Sequence, residues 1–259
     1  MDDLALLSLA ADLAHRAGEL ILAVRARGFA TTRKADRTVV TEADHEAEAL
    51  IVAALREATP FAVVAEEEVA AGHVLACGTA YWLVDPLDGT REFARGHDEF
   101  TVNIGLVRDG RPVLGAVAVP AFGELFTGLA LPGGGGQARK RTARGEHVVR
   151  TRPAPPEGLH VLASRAFGDD PRLHDFLSGH KVASVSHYGS ALKVCRIAEG
   201  AGDLYPRFGP TMEWDTAAPQ AVLEAAGGRL TRLDGSPLPY GKDGWRNPSF
   251  VCSGTFARP

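Results

Sequence analysis

Apolar residues recur every three or four positions along the first stretch of the chain, at Leu4, Leu7, Ala11, Ala14, Gly18 and Ile21. That spacing predicts an amphipathic helix over roughly the first 27 residues. The segment TEADHEAEALIVAALREA repeats the pattern, with Ala43, Ala47, Leu50, Ile51, Ala54 and Leu55 on one face. The period then shortens. Runs at 61–65, 81–84, 100–107, 112–120 and 124–130 read as strands, and Asp109-Gly110 between two of them is a hairpin turn signal. PGGGGQARKRTARGEH interrupts the pattern, and a boundary there divides the chain into halves 1–135 and 136–259. In the second half, strands at 160–164 and 181–189 flank a helix near 170–178. A helix from Ser190 to about Gly200, a helix in WDTAAPQAVLEAAGG ended by Gly227-Gly228, and strands at 229–234 and 249–254 complete the chain. Helices alternating with strands in both halves predict a layered α/β architecture.

The chain has 259 residues, 45% hydrophobic and 23% charged, the balance of an ordinary globular protein. A net charge of -4 excludes a global basic field for nucleic acid or anionic membrane. Arg139, Lys140, Arg141 and Arg144 form one basic run, but no aromatics are interleaved for base stacking, so a solvated hairpin tip or connector is favoured. The start of the chain is acidic and broken by Asp12, His15 and Arg16, which fits neither a signal peptide nor a membrane span. Three scattered cysteines, Cys77, Cys195 and Cys252, suit reduced thiols in a cytoplasm better than a disulfide framework.

Candidate chemistry enters with the acids. AYWLVDPLDGTREF runs from a buried strand into Asp85 and Asp88, with Pro86 ending the strand and Gly89-Thr90 opening a short helix whose amides suit a phosphate. Glu66, Glu67 and Glu68 follow another strand, Asp215 precedes a helix, and Asp44 lies at the start of the second helix. Each has a structural reading of its own. The glutamates fit a solvated loop, Asp88 and Asp215 fit helix caps, and Thr41-x-x-Asp44 fits a capping box. Taken together, Glu66, Asp85, Asp88, Asp215 and the Leu87 carbonyl are the hard oxygen donors that Mg²⁺ prefers. The nine histidines form no zinc-like cluster. Two ions about 4 Å apart sharing Asp85 would act on a phosphate ester.

With AEEEVAAG upstream and WDTAAPQAVLEAAGG downstream, WLVDPLDGT resembles the inositol monophosphatase superfamily of Mg²⁺-dependent, lithium-sensitive phosphatases over nearly the whole chain. Ala65 stands where that family usually has glycine before the glutamate. The longer stretches containing EFTVNI and YPRFGPT are similar to the bacterial 3'(2'),5'-bisphosphate nucleotidases. Those enzymes remove the 3'-phosphate of adenosine 3',5'-bisphosphate, a by-product of sulfate assimilation. The resemblance implies an α-β-α-β-α sandwich of the inositol monophosphatase and fructose-1,6-bisphosphatase type, with two or three Mg²⁺ ions between the halves. It implies Glu66, Asp85 and the Leu87 carbonyl on the first ion, and Asp85, Asp88 and Asp215 on the second. Glu66 would also help to place a third ion and the nucleophilic water. Thr90, held by Asp44, would orient that water, and Glu67 would support these acids from behind. The amides of Gly89 and Thr90 would cradle the scissile phosphate. Gly189, Ser190, Lys193 and Arg207 would face the rest of the substrate, Lys193 and Arg207 neutralising its distal phosphate. Tyr205 and Phe208 are read either as adenine-stacking residues or as core packing. Three other readings stay open: an inositol monophosphatase, a histidinol or sugar phosphatase, and a non-catalytic phosphate-binding regulator. The expected partner is a small phosphate ester, with no nucleic acid, in a cytoplasmic monomer or homodimer, association with the inner face of the cell membrane being left open.

Overall fold

The Asp2 carboxylate accepts the Ala5 amide at 2.8 Å and opens helix α1 (Asp3–Arg27), which stops at Gly28 with φ +81°. The computed structural model describes residues 1–33, 39–73, 77–131, 135–165 and 170–255. The buried stripe of α1 is Leu6, Ala10, Leu13, Ala17, Ile21 and Val24, while Leu4 is 63% exposed. The face read from Leu4, Leu7 and Ala11 is therefore displaced in the first turns. LALLSLAADLA is apolar on most sides, so periodicity alone left the face open and the sheet beneath decided it.

Strands β1 (Thr31–Arg33) and β2 (Val39–Thr41) form a small antiparallel pair ahead of helix α2 (Glu42–Ala58). Strand β3 (Ala62–Ala65) leads into a short helix α3 (Glu66–Ala70), so the three glutamates open a helix and do not form a solvated loop. Then come β4 (Ala80–Asp88), α4 (Thr90–Ala94), β5 (Thr101–Arg108), β6 (Arg111–Val119), β7 (Glu124–Ala130), β8 (Gly136–Thr142) and β9 (Gly145–Val148). Strands β3 to β9 form one seven-stranded sheet in sequence order. Asp109 and Gly110 both take positive φ, 50° and 71°, as a two-residue primed turn between β5 and β6 requires. Residues 136–148, beyond the boundary read at 135, add two strands to this first sheet.

The remaining elements are β10 (Leu159–Ser164), α5 (Pro171–Leu177), β11 (Val182–Tyr188), α6 (Leu192–Ala198), β12 (Leu204–Arg207), α7 (Glu213–Ala225), β13 (Arg229–Arg232) and β14 (Phe250–Ser253). They make a five-stranded sheet in the order β11-β10-β12-β14-β13. Helices α1 and α2 bury Leu13, Ile21, Ile51 and Leu55 against Trp82, Ile104 and Leu106 on one face of the larger sheet. Helices α6 and α7 lie between the two sheets, where Leu192, Ile197, Trp214 and Val222 join Leu83, Val117, Phe126, Tyr205 and Phe250. On the outer face of the smaller sheet, Phe176 and Leu177 of α5 cover Val161, Leu204 and Val251. The layers run α-β-α-β-α.

Three glycines fix how close α7 approaches. Gly105, Gly115 and Gly128 face one another across β5, β6 and β7. A Cβ on Gly115 would stand 2.4 Å from the Ala218 carbonyl oxygen, and one on Gly128 would stand 2.4 Å from the Val222 Cα. Hydrogen at these positions lets the helix backbone rest on the sheet, which carries the first turn of α7, and Asp215 with it, to the end of β4.

Candidate active site

Strand β4 does not stop at Pro86. It continues to Asp88 through an irregularity between Asp85, opposite Asn103, and Asp88, opposite Thr101. Strand β3 ends at Ala65 opposite Val84, so Pro86 has no β3 neighbour and no ladder donor is lost there. The detour turns both carboxylates towards one cavity. Asp85 is buried and its Oδ1 accepts the Leu87 amide at 3.0 Å. Gly89 follows at φ +95°, and a Cβ there would stand 3.0 Å from the Glu99 carbonyl oxygen. Only glycine makes this turn at this distance.

A cavity of about 500 Å³ is lined by Glu66, Asp85, Leu87, Asp88, Gly89, Thr90 and Asp215. Four acids converging there repel one another, and burial removes the water that would screen them. Burial, then Glu66, Asp88 and Asp215, pushes the Asp85 carboxyl well above the usual range. Burial, then Asp88 and Glu66, pushes Asp215 up to about 8. Asp88 is raised by burial, with Lys193 opposing. One oxygen of each remaining aspartate is engaged by a backbone amide: Asp88 Oδ2 by Ala191 at 2.6 Å and Asp215 Oδ2 by Met212 at 2.8 Å. Asp215 thus lies inside the first turn of α7 rather than ahead of it as its N-cap, bonds back to the Met212 amide that opens the helix, and lines the cavity as well.

Asp44 is buried beneath Thr90. Its Oδ2 accepts the Thr41 hydroxyl at 2.6 Å and the Thr41 amide at 2.8 Å, the capping box of α2. Its Oδ1 accepts the Thr90 hydroxyl at 3.0 Å, and that hydroxyl also lies 3.0 Å from the Leu87 carbonyl oxygen. Ala65 sits at φ -121°, ordinary extended backbone, so its replacement of glycine brings no strain. Glu48 was not anticipated. It is buried, and its two carboxylate oxygens accept the Glu67 amide at 2.8 Å and the Glu68 amide at 2.9 Å. It thereby supplies the cap that Ala65 cannot give α3 and fixes where Glu66 emerges. Its signal in the sequence was an acid four residues after Asp44, on the same face of α2.

Oxygen-only donors with raised carboxyl pKa values fit a hard divalent cation. Thr101 and Asn103, buried opposite Asp88 and Asp85, also present side-chain atoms with no hydrogen-bond partner among the described residues. Among those residues no three His, Cys, Asp or Glu side chains already form a cage for an ion. The acids share a wall, and a cation held there would relieve the repulsion between them.

A second cavity, of about 170 Å³, shares Asp88, Arg91, Arg207, Thr211 and Asp215 with the first. The β11–α6 turn forms one wall. Gly189 donates to Glu99 at 2.8 Å, and Ser190 is held at φ +47°. Lys193 is buried, its Nζ donating to the carbonyls of Ser190 at 2.6 Å and Tyr188 at 3.1 Å. Arg207 donates to the carbonyls of Gly209 and Pro210. Tyr205 is buried against Phe250 yet lines this cavity. Phe208 packs edge-on to Phe176 of α5 and lines neither cavity, so of its two readings the structure supports packing.

Two members of the basic run are paired within the fold. Arg139 pairs with Glu146 at 2.6 Å, and Lys140 is bonded to Glu124 and Glu199. Among the described residues no helix is long and apolar enough to cross a membrane.

The model of the inositol monophosphatase family matches residues 2–254. The 3'(2'),5'-bisphosphate nucleotidase CysQ of Escherichia coli K12 is 38% identical over 93% of this chain and 96% of its own length. Its counterpart in Salmonella typhimurium is 39% identical over 92% and 95%. The crystal structure of CysQ from Bacteroides thetaiotaomicron, described as a bacterial member of the inositol monophosphatase family, superposes with a TM-score of 0.78 at 34% identity, covering 98% of both chains. The Thermotoga maritima IMPase shares the fold, with a TM-score of 0.78 at 24% identity.

Proposed function

This chain belongs to the inositol monophosphatase family, and from that premise we propose that it is a Mg²⁺-dependent 3'(2'),5'-bisphosphate nucleotidase, releasing the 3'-phosphate of adenosine 3',5'-bisphosphate to leave AMP. The observation that carries this reading is the pairing of two features. One is full-length similarity to nucleotidases of that name, and the other is a carboxylate-walled cavity that opens into a cation-bearing one. In this reading the scissile phosphate would lie against the acids of the first cavity, and the rest of the nucleotide would extend towards the cations that line the second.

In this reading Glu66, Asp85, the Leu87 carbonyl, Asp88 and Asp215 would hold two or three Mg²⁺ ions. Magnesium bound there would supply positive charge to the phosphoryl group and acidify water. The Thr90 hydroxyl, its proton held between Asp44 and the Leu87 carbonyl, turns a lone pair to the attacking water and orients it together with Glu66. The amides of Gly89 and Thr90 face the phosphoryl oxygens, and Glu67 buttresses the acidic wall from inside. As the water oxygen bonds to phosphorus, the bond to the 3'-oxygen breaks and a proton from water reaches the leaving oxygen. No protein nucleophile is needed, and Cys195 and Cys252 are buried away from the reaction. Lithium inhibition and a part in clearing a by-product of sulfate assimilation go with this reading.

Phosphate release with Mg²⁺, measured side by side for adenosine 3',5'-bisphosphate and inositol 1-phosphate, tests it. Preference for the nucleotide, abolished by chelator, is the expected result. Preference for inositol phosphate would retain the acidic site and discard the nucleotide.

A further inference from the structure

We propose that Arg91 is a specificity-determining residue that grips the distal 5'-phosphate of the substrate, an inference that rests on the nucleotidase reading above. Among the described residues three cations line the cavity next to the acidic wall: Arg91, Lys193 and Arg207. Two of them have donors committed to the protein. The Lys193 ammonium is only 2% exposed and is spent on two carbonyls and on balancing Asp88. The Arg207 Nε and Nη2 donate to carbonyls of its own loop. Arg91 is exposed, and its guanidinium has neither ion pair nor side-chain hydrogen bond among the described residues.

Its position matches that chemistry. Arg91 directly follows Gly89-Thr90, the turn facing the phosphate to be cleaved, and lines both cavities where they meet. A ligand with its reacting phosphate in one cavity and its nucleoside in the other passes this side chain. The same junction carries Asp88 and Asp215, with Glu92 beside it, so a second phosphate there is repelled unless a cation answers it. A guanidinium offers a planar pair of donors that matches phosphate oxygens. Cations held by the wall acids would take one anionic end, and the uncommitted arginine answers the other.

The test compares adenosine 3',5'-bisphosphate with adenosine 3'-monophosphate, which has the same scissile ester and no distal phosphate. In Arg91→Met the ratio of kcat/KM for the bisphosphate over the monophosphate should fall about tenfold, the effect of one charge-assisted contact. Most of that fall should lie in KM, and Arg91→Lys should restore much of it. Calorimetry should show weaker binding of the product AMP to Arg91→Met, with adenosine binding little altered. An unchanged ratio in a variant that melts like the parent would overturn the role of Arg91 and leave the nucleotidase intact. A parent protein that prefers inositol phosphate would instead overturn both.

Discussion

Asp215 concentrates the physical tension of the site. Its carboxyl is pushed up to about 8 from an ordinary 3.8, so in the metal-free protein it is protonated in the fold and ionised in the unfolded chain between those values. The sign follows from linkage: no penalty exists below the unfolded value, and stability is lost as pH rises towards the folded value. Metal-free protein should therefore melt at a lower temperature at pH 8 than at pH 6. Mg²⁺ at a hundred times its Kd adds about 2.7 kcal/mol, or roughly 5–10 °C for a chain of this size. Its effect should be larger at pH 8, where protons compete less than at pH 6. Asp215→Asn should melt higher than the parent in chelator at pH 8, respond little to Mg²⁺ and lose turnover. Melting curves at the two pH values, with and without Mg²⁺, check this, and a Mg²⁺ effect undiminished in the variant would remove Asp215 from the metal site.

At the scale of elements, the site depends on how closely helices approach strands. Gly115 lies under α7, where an added Cβ would meet the Ala218 backbone at 2.4 to 2.9 Å. Gly115→Ala must lift the helix, because backbone cannot yield as a flexible side-chain end can. Such overpacking costs about 1–3 kcal/mol. The first turn of α7 carries Asp215, so turnover should fall by more than the folded fraction alone explains. Activity normalised to folded protein, beside a denaturation curve, separates the two effects. A fully active, destabilised variant would mean that α7 can shift without moving Asp215. Glu48 works at the same scale, since its carboxylate joins α2 to the start of α3 and so sets the direction of Glu66.

Across the whole molecule, the site is assembled from both halves and needs them held in register. Lys140 lies 2.6 Å from Glu124 and 2.7 Å from Glu199, and Arg196 lies 2.9 Å from Glu124. These four charges join β7 and β8 of the larger sheet to α6 of the second half, all with side chains at most 16% exposed. Removing one member leaves its partners buried and unbalanced. Lys140→Met should cost about 3 kcal/mol, with Tm lower by roughly 6–12 °C. Loss of under half a kcal/mol would reduce the cluster to ordinary surface pairing.

The sequence by itself determined much of the framework. Helical spacing named α1 and α2, short β-rich runs named most strands of both sheets, and Asp109-Gly110 named its turn, because each signal acts within a few residues. The acids were legible as a group because so many carboxylates at element ends exceed what capping needs. Three things only the tertiary structure decided. The buried side of α1 depended on the sheet it meets, since its own first turns are apolar on most sides. The strand character of 136–148 depended on pairing with β7, for which a Gly- and Arg-rich segment carries little local preference. The work of Glu48, Lys193 and Arg91 depended on partners far away in sequence: two amides of α3, two carbonyls of the Tyr188–Ser190 turn, and the junction of two cavities. Local pattern records what a residue prefers, whereas a buried charge takes its role from the groups that folding places against it.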